Sequence, residues 1–359
     1  MKKKTENRGV FHVGLVFAVS LGVGIILLAA FLHLVGFRRI IDTIRNVDMR
    51  LMFLAFLLDM AGLVLYGACW HVLLRSAGLK IRFLSSISIA LAGIFTCYIT
   101  PSGFFMDASR VLLASKESDI SIGDGAATVI LHKIMFILGF VTYGLLAITM
   151  LFASYGLPHS LAVNVLGLIA VVTAGIVGLA LLIIKGEKLR ELTPGLYEKI
   201  QSRLRKIGNK YFPKALSSIG GLTNDFRSTF RKLVRNPRAM LASYALALTY
   251  WATSVMIFYV VFLALGYRIS IWAIMLTISI GDFIQMTPIA IPGMLGVLEV
   301  VTTTVLVMFG VPLNVAASAT LLGRIATFWF DIPVTGAAAS YYGAKYVAAL
   351  ATSMSRSSK

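Results

Sequence analysis

Nine ionisable side chains stand inside strongly apolar stretches of this sequence: Asp59, Asp107, Arg110, His132, Lys133, Asp282, Glu299, Arg324 and Asp331. A charge at the centre of a bilayer costs at least about 2.5 kcal/mol. Such residues therefore pair with one another or face a polar cavity, and they mark pathways for substrates or ions. Lys133 lies ~16 Å into the apolar run that begins at Ile122, and Arg324 ~14 Å into the run that begins at Val315. Both depths are near the middle of a ~30 Å hydrocarbon core. The two runs point in opposite directions, so the cations reach one level. An ammonium and a guanidinium there suit a phosphate. Asp107 and Glu299 are placed to pair with these cations, to hold them, or to exchange protons.

Catalytic chemistry is not indicated. The sequence has no H-E-x-x-H, nucleophile elbow or P-loop. Ser279, Ile280, Gly281 and Asp282 approximate the Gly-x-Gly-Asp of aspartyl intramembrane proteases, with Asp59 as partner. However, the first Gly is Ser, and the same tetrapeptide recurs at Ser121, Ile122, Gly123 and Asp124. Cys69 and Cys97 both fall in apolar runs, which excludes a disulfide framework, and no C-x-x-C pair offers a metal site. No enzymatic activity, cofactor or metal is expected.

The elements that carry these residues must be membrane helices. Of 359 residues, 58% are hydrophobic and 13% charged, and the mean hydropathy is +0.87. Soluble domains run at roughly 45–50% apolar and about 25% charged. A soluble enzyme or nucleic-acid-binding body is thereby excluded. The expected class is an all-α multi-pass membrane protein with about eight to ten segments. Apolar runs cover 11–35, 51–74, 83–100, 122–152, 161–184, 239–265, 271–286, 295–309 and 315–342, with a short piece at 104–113. The first run is too long for a signal peptide core, and Phe37, Arg38 and Arg39 are no small-residue cleavage site, so it reads as a retained helix.

Charge orients the runs. Lys2, Lys3, Lys4 and Arg8 place the N-terminus inside, as do Arg75, Lys80 and Arg82 for their loop. The loop at 154–160 has no Lys or Arg and fits the outside. The tail with Lys345, Arg356 and Lys359 fits the inside, in the cell membrane. Parity then requires 83–116 and 271–310 to enter, break and return on their own side. Breaks stand at Thr100, Pro101, Ser102 and Gly103, and at 287–293, which holds Pro288, Pro292 and Gly293. Irregular backbone at membrane depth survives only beside a cavity or within protein. The stretch 37–50 holds four Arg and two Asp on the expected outer side. Its Phe37, Ile40, Ile41 and Ile44 at helical spacing suggest an interfacial helix.

The two broken stretches align at an offset of 191. Pro101 meets Pro292, and Ala127, Ile130, Leu131, Lys133 and Ile134 meet Ser318, Leu321, Leu322, Arg324 and Ile325, with Asp107 one residue from the match to Glu299. One unit starts outside and the other inside, which makes an inverted-topology repeat with two re-entrant hairpins. The organisation is 1–50, an N-terminal helix plus interfacial segment; 51–152, unit one; 153–184, a connecting helix; 185–238, a basic linker; 239–346, unit two; 347–359, a tail. The half-helices after Pro101 and Pro292 aim positive ends at the midplane. The expected substrate-binding set is Pro101, Gly103, Asp107, Arg110, Lys133, Asp282, Pro292, Gly293, Glu299 and Arg324.

The linker holds 14 Lys and Arg against 4 Asp and Glu, a net +10 of the chain's +18. Leu196, Ile200, Leu204 and Ile207 form one apolar stripe, and Phe226, Phe230 and Leu233 another, each beside basic residues. These read as amphipathic helices on anionic inner-leaflet lipid, not as a nucleic-acid site. A solvated basic loop is the plainer reading.

Trp70 to Arg75, Pro101 to Gly103 with Asp107 to Arg110, Pro292 to Glu299, and Leu322, Gly323 and Arg324 together resemble the flippase-like membrane proteins. That family includes the transmembrane part of lysylphosphatidylglycerol synthase/flippase and stand-alone relatives. Residues from about Phe11 to Tyr342 take part. The family's first-unit pattern, Pro…Gly-Glu-x-x-Arg, has Met106 and Asp107 here at its Gly and Glu. Full-length members carry a soluble acyltransferase-like domain that makes the aminoacyl lipid, and this sequence contains no counterpart. The resemblance implies movement of a phospholipid or polyprenyl-phosphate-type lipid between leaflets without its synthesis. A non-transporting scaffold that binds anionic lipid is the alternative, with an intramembrane transferase behind it. An oligomer is compatible with the sequence.

Overall fold

A computed structural model describes residues 2–100, 103–155, 219–286 and 291–357, with single helical positions at 163, 167, 170, 174, 175 and 178. Among the described residues all regular structure is helical: α1 (Lys2–Val35), α2 (Phe37–Ile44), α3 (Met49–Ala77), α4 (Phe83–Ile99), α5 (Gly103–Ser118), α6 (Ile122–Tyr155), α7 (Ile219–Val234), α8 (Pro237–Ala264), α9 (Ile271–Met286), α10 (Val297–Met308), α11 (Leu313–Arg324) and α12 (Phe330–Ser357). A 3₁₀ turn, Pro292–Met294, precedes α10, and a π-turn, Ile325–Trp329, joins α11 to α12.

Among the described residues five stretches are long and apolar enough to cross a membrane: Ala18–Val35, Met49–Ala77, Ile122–Ser154, Pro237–Ala264 and Leu313–Tyr346. Phe83–Ile99, Ile271–Gln285 and Pro292–Met308 are apolar but shorter. The chain is thus an integral membrane protein, as its outward-pointing Ile26, Leu34, Leu84 and Leu241 also require. The expected breaks are real. The run after Phe83 stops at Ile99 and restarts at Gly103, and the run after Ile271 stops before the 3₁₀ turn. Pro101, the connecting run at 161–184 apart from single helical positions, and the linker up to residue 218 lie outside the described residues. Residues 347–357 of the expected tail are helical and continue α12.

Local chemistry sets the ends of the central pair. Asp48 accepts from the Arg50 amide at 2.8 Å to start α3, and Gly78, at φ +88°, closes it. Asn236 accepts from the Ala239 amide at 3.2 Å, with Pro237 in the first turn, to start α8. The two helices run antiparallel over their length. The Asp48 amide donates to Ala264 O at one end, and Cys69 Sγ meets Ser243 O near the other. Gly62 permits the close approach, because a Cβ there would stand 3.1 Å from Thr253 Oγ1.

Around this pair, α4 packs on α12, and α6 on α9. Within each half, α4 folds back on α5 and α9 on α10, while α5 packs on α6 and α10 on α11. Helix α1 covers the turn before α10, with Gly24 facing Ile291 and Leu295.

Two expected interfacial helices are held by protein. In α2, Ile40 is buried with Phe31, Val35 and Ala317, while Phe37 and Ile41 stay exposed. In α7, Phe230 and Leu233 are buried against Cys69, Leu73 and Leu131, so this apolar stripe faces the core and not a leaflet. Thr229 donates to Asp124 in the first turn of α6, and Lys232 Nζ donates to Ala77 O at the end of α3, at 2.7 Å. Amphipathicity alone does not distinguish a lipid partner from a protein one.

Candidate functional site

Charge in the first half gathers around α5. Asp107 sits one turn before Arg110 on this helix, and Lys133 reaches it from α6, its ammonium paired to Asp107 Oδ2. Arg110 Nη1 lies 3.9 Å from Asp107 Oδ1. The guanidinium is otherwise enclosed. It stacks 4.3 Å from the Trp70 ring centroid and donates to the Tyr66 hydroxyl at 3.1 Å and to His132 Nδ1 at 3.3 Å. His132 Nε2 in turn donates to Tyr66 O at 3.1 Å, which fixes a neutral imidazole with its proton on Nε2. Gly93 on α4 makes the room, since a Cβ there would stand 2.6 Å from Arg110 Cγ. Arg110 is 1% exposed. Its contacts join α3, α5 and α6, and its Nε is left without a partner among the described residues. Lys133, with 55% of its side chain exposed, remains accessible.

The second half repeats an acid–cation pair with other parts. Glu299, in the first turn of α10, accepts from the Gly296 amide at 2.7 Å and from Arg324 Nε at 2.9 Å. Arg324 Nη2 donates to Gly293 O at 2.6 Å, and its Cζ lies 4.2 Å from the Phe328 ring centroid. The turn that supplies Gly293 O is tight. Gly293, Met294 and Gly296 all have left-handed φ, at 58°, 52° and 79°. A Cβ at Gly293 would run into the Phe328 ring, and one at Gly296 would stand 2.8 Å from the Leu28 amide of α1. Strained backbone of this kind persists where the surroundings over-determine it, as at ligand sites. Pro292 is buried in this turn.

Arg324 also borders a cavity of about 180 Å³ between the halves. Its wall combines Asp59 of α3, Tyr98 of α4, Tyr250 of α8, Asp282 of α9, Thr302 of α10 and Asp331 of α12. Asp282 Oδ1 accepts from Gln285 Nε2 at 3.3 Å. Lys133 is not part of the wall. Tyr66, Phe136 and Tyr250, with ring centroids 4.9–6.0 Å apart, stand between its cluster and the cavity. Lys133 and Arg324, expected to share one phosphate, therefore belong to separate clusters, each held by its own acid. Gly103 opens α5.

Sequence reasoning noted Asp59, His132 and Asp331 as intramembrane charges and gave only Asp59 a place, as a partner for Asp282. It missed Tyr66 and Tyr98, and named Trp70 only within the stretch that carries the family resemblance. Only their spacing from the charges along α3 and α4 could have pointed to them. The cavity wall holds three carboxyls and one guanidinium; of the expected set of three acids and three cations it takes in Asp282 and Arg324. It can hold a small headgroup with a phosphate toward Arg324, but not acyl chains.

Comparison with known proteins agrees with this architecture. The lysylphosphatidylglycerol synthase TM region matches residues 15–334. A UPF0104 membrane protein of Pyrococcus horikoshii is 27% identical over 327 residues, covering 88% of this chain and 93% of that protein. One from Methanothermobacter thermautotrophicus is 23% identical over 91% of this chain and 95% of its own length. One from Archaeoglobus fulgidus is 27% identical over 81% and 86%.

Proposed function

The chain belongs to the lysylphosphatidylglycerol synthase transmembrane-region family, and from that premise we propose that it is a non-enzymatic, flippase-like transporter of the cell membrane. It moves a phosphate-containing lipid, of phospholipid or polyprenyl-phosphate type, between leaflets, with both termini cytoplasmic. The observation that carries this reading is Arg324 at the cavity wall. Glu299 and Gly293 orient the guanidinium, and Nη1 has no partner among the described residues. A fixed, partly free guanidinium in low dielectric is a phosphate receptor. The headgroup enters the cavity while the acyl chains stay among the outward apolar side chains.

The pairing of elements supports an inverted repeat. Exchanging α3 with α8, α4 with α9, α5 with α10, and α6 with α11–α12 maps the main pairings among these elements onto one another. The acid–cation pairs exchange as well: Asp107–Lys133 with Glu299–Arg324. In this reading α4–α5 and α9–α10 are re-entrant hairpins from opposite sides, and alternating access is a rocking of one unit on the other.

The test is leaflet exchange of fluorescent phosphatidylglycerol and of a polyprenyl phosphate by the purified chain in vesicles. Exchange of either above protein-free vesicles supports transport. Binding of anionic vesicles with no exchange of any probe overturns it and leaves a scaffold.

A further inference from the structure

Asp59 and Asp331 face each other within hydrogen-bonding reach, at 7% and 5% exposure. The Tyr98 hydroxyl donates to Asp331 Oδ2 at 2.6 Å. Asp59 Oδ2 and Asp331 Oδ1 have no partner among the described residues. The remaining charged or titratable groups that face the pair are Arg324 from α11, Tyr250 from α8 and Asp282 from α9. None of these donates to the two open oxygens. Arg324 is turned to Glu299 and Gly293 instead.

Two ionised carboxylates in this setting repel each other and strand two buried acceptors without a donor. One proton between them removes the repulsion and supplies the donor. A metal ion fits poorly, because no group of three His, Cys, Asp or Glu among the described residues can hold one.

We propose that the Asp59–Asp331 pair is a proton-binding site of the cavity, and that its proton travels with the headgroup of the transported lipid. The inference rests on the transport reading above. With all groups ionised, the cavity wall carries three negative charges against one positive charge, which opposes an anionic headgroup. A proton on the pair removes one negative charge. Each ligand therefore favours the other, and such coupling is reciprocal.

The proton joins the pair from water on the loading side and leaves to water on the other side. An O–H bond forms and breaks, and no other bond changes. The pair also ties together elements able to move. Tyr98 stands at the end of α4 just before the break, and Asp331 follows the π-turn at Ile325–Trp329. Such turns recur at functional sites.

The test uses the full chain in phosphatidylcholine vesicles containing phosphatidylglycerol, read in two ways. Infrared difference spectra at neutral pH should show the carbonyl stretch of a protonated carboxylic acid. Asp59→Asn and Asp331→Asn should each remove it, and Glu117→Gln, remote from the cavity, should not. Exchange of fluorescent phosphatidylglycerol should accelerate when the loading side is acid, by up to about tenfold per pH unit, the ratio of proton concentrations. Both Asn variants should lose that response and Glu117→Gln should keep it. A band absent from the unaltered chain, or unchanged in both Asn variants, overturns the site. A band that behaves as expected beside exchange indifferent to the gradient overturns the coupling. Absence of exchange for every lipid removes the transport reading, and the coupling with it, while the infrared result still decides whether the pair holds a proton.

Discussion

Arg110, Lys133 and Arg324 carry the same charge and do three different jobs, set by what surrounds them. Arg110 is enclosed, and removing one partner of a buried ionic cluster costs about 3–5 kcal/mol. Arg110→Ala should therefore lower thermal stability in detergent sharply. Lys133 is 55% exposed at its side chain and is not enclosed by protein, so Lys133→Ala should cost less stability than Arg110→Ala. A thermal melt of both variants checks the order, and equal losses would contradict it. Arg324→Ala should abolish most lipid exchange while protein still accumulates in the membrane, since fewer intramembrane charges favour insertion. Arg324→Lys should retain part of the exchange, because it keeps the charge and loses the fork that grips Glu299 and Gly293 together. Exchange by Arg324→Ala at the unaltered rate would remove the guanidinium from the path. The residue types were legible as a set from their apolar surroundings. Their division of labour was not, because enclosure by Trp70, Tyr66 and His132 depends on how α3, α5 and α6 cross.

Helix α7 shows the same limit one level up. Its Phe226, Phe230 and Leu233 spell an amphipathic helix, and so does the structure, but the apolar side is taken by α3 and α6. Phe230→Ala should thus cost about 3–5 kcal/mol of stability as a core truncation does. A helix resting on lipid would instead lose vesicle binding with its melting point unchanged. By contrast, the breaks after Ile99 and before Pro292 were readable in advance. Pro and Gly punctuate an otherwise uniform apolar sequence, and parity of charge demanded a return. In the proposed inverted arrangement each hairpin opens to its own side, which thiol chemistry in solution tests. In a background of Cys69→Ala and Cys97→Ala, aqueous thiol reagents should reach a Gly103→Cys variant from the cytoplasmic side and a Gln285→Cys variant from the opposite side. Labelling of both from one side would remove the inverted arrangement.

For the whole molecule, hydropathy and charge were enough to give a multi-pass helical bundle with two interrupted stretches. They were not enough to find the cavity, because its wall draws on α3, α4, α8, α9, α10 and α12, and sequence spacing says nothing about neighbours so far apart in the chain. The pair Asp59–Asp331 has an electrical consequence. Asp59 stands ~15 Å along α3 from Met49, about half the depth of the hydrocarbon core. A lipid phosphodiester crossing alone would carry one negative charge through the membrane field, worth about 2.3 kcal/mol per 100 mV. A phosphodiester that crosses with the pair's proton carries none. A potassium diffusion potential imposed at equal pH should therefore leave exchange by the unaltered chain unchanged in either polarity. In Asp59→Asn, any remaining exchange should become polarity-dependent, so a single carboxyl decides whether the membrane voltage is felt at all.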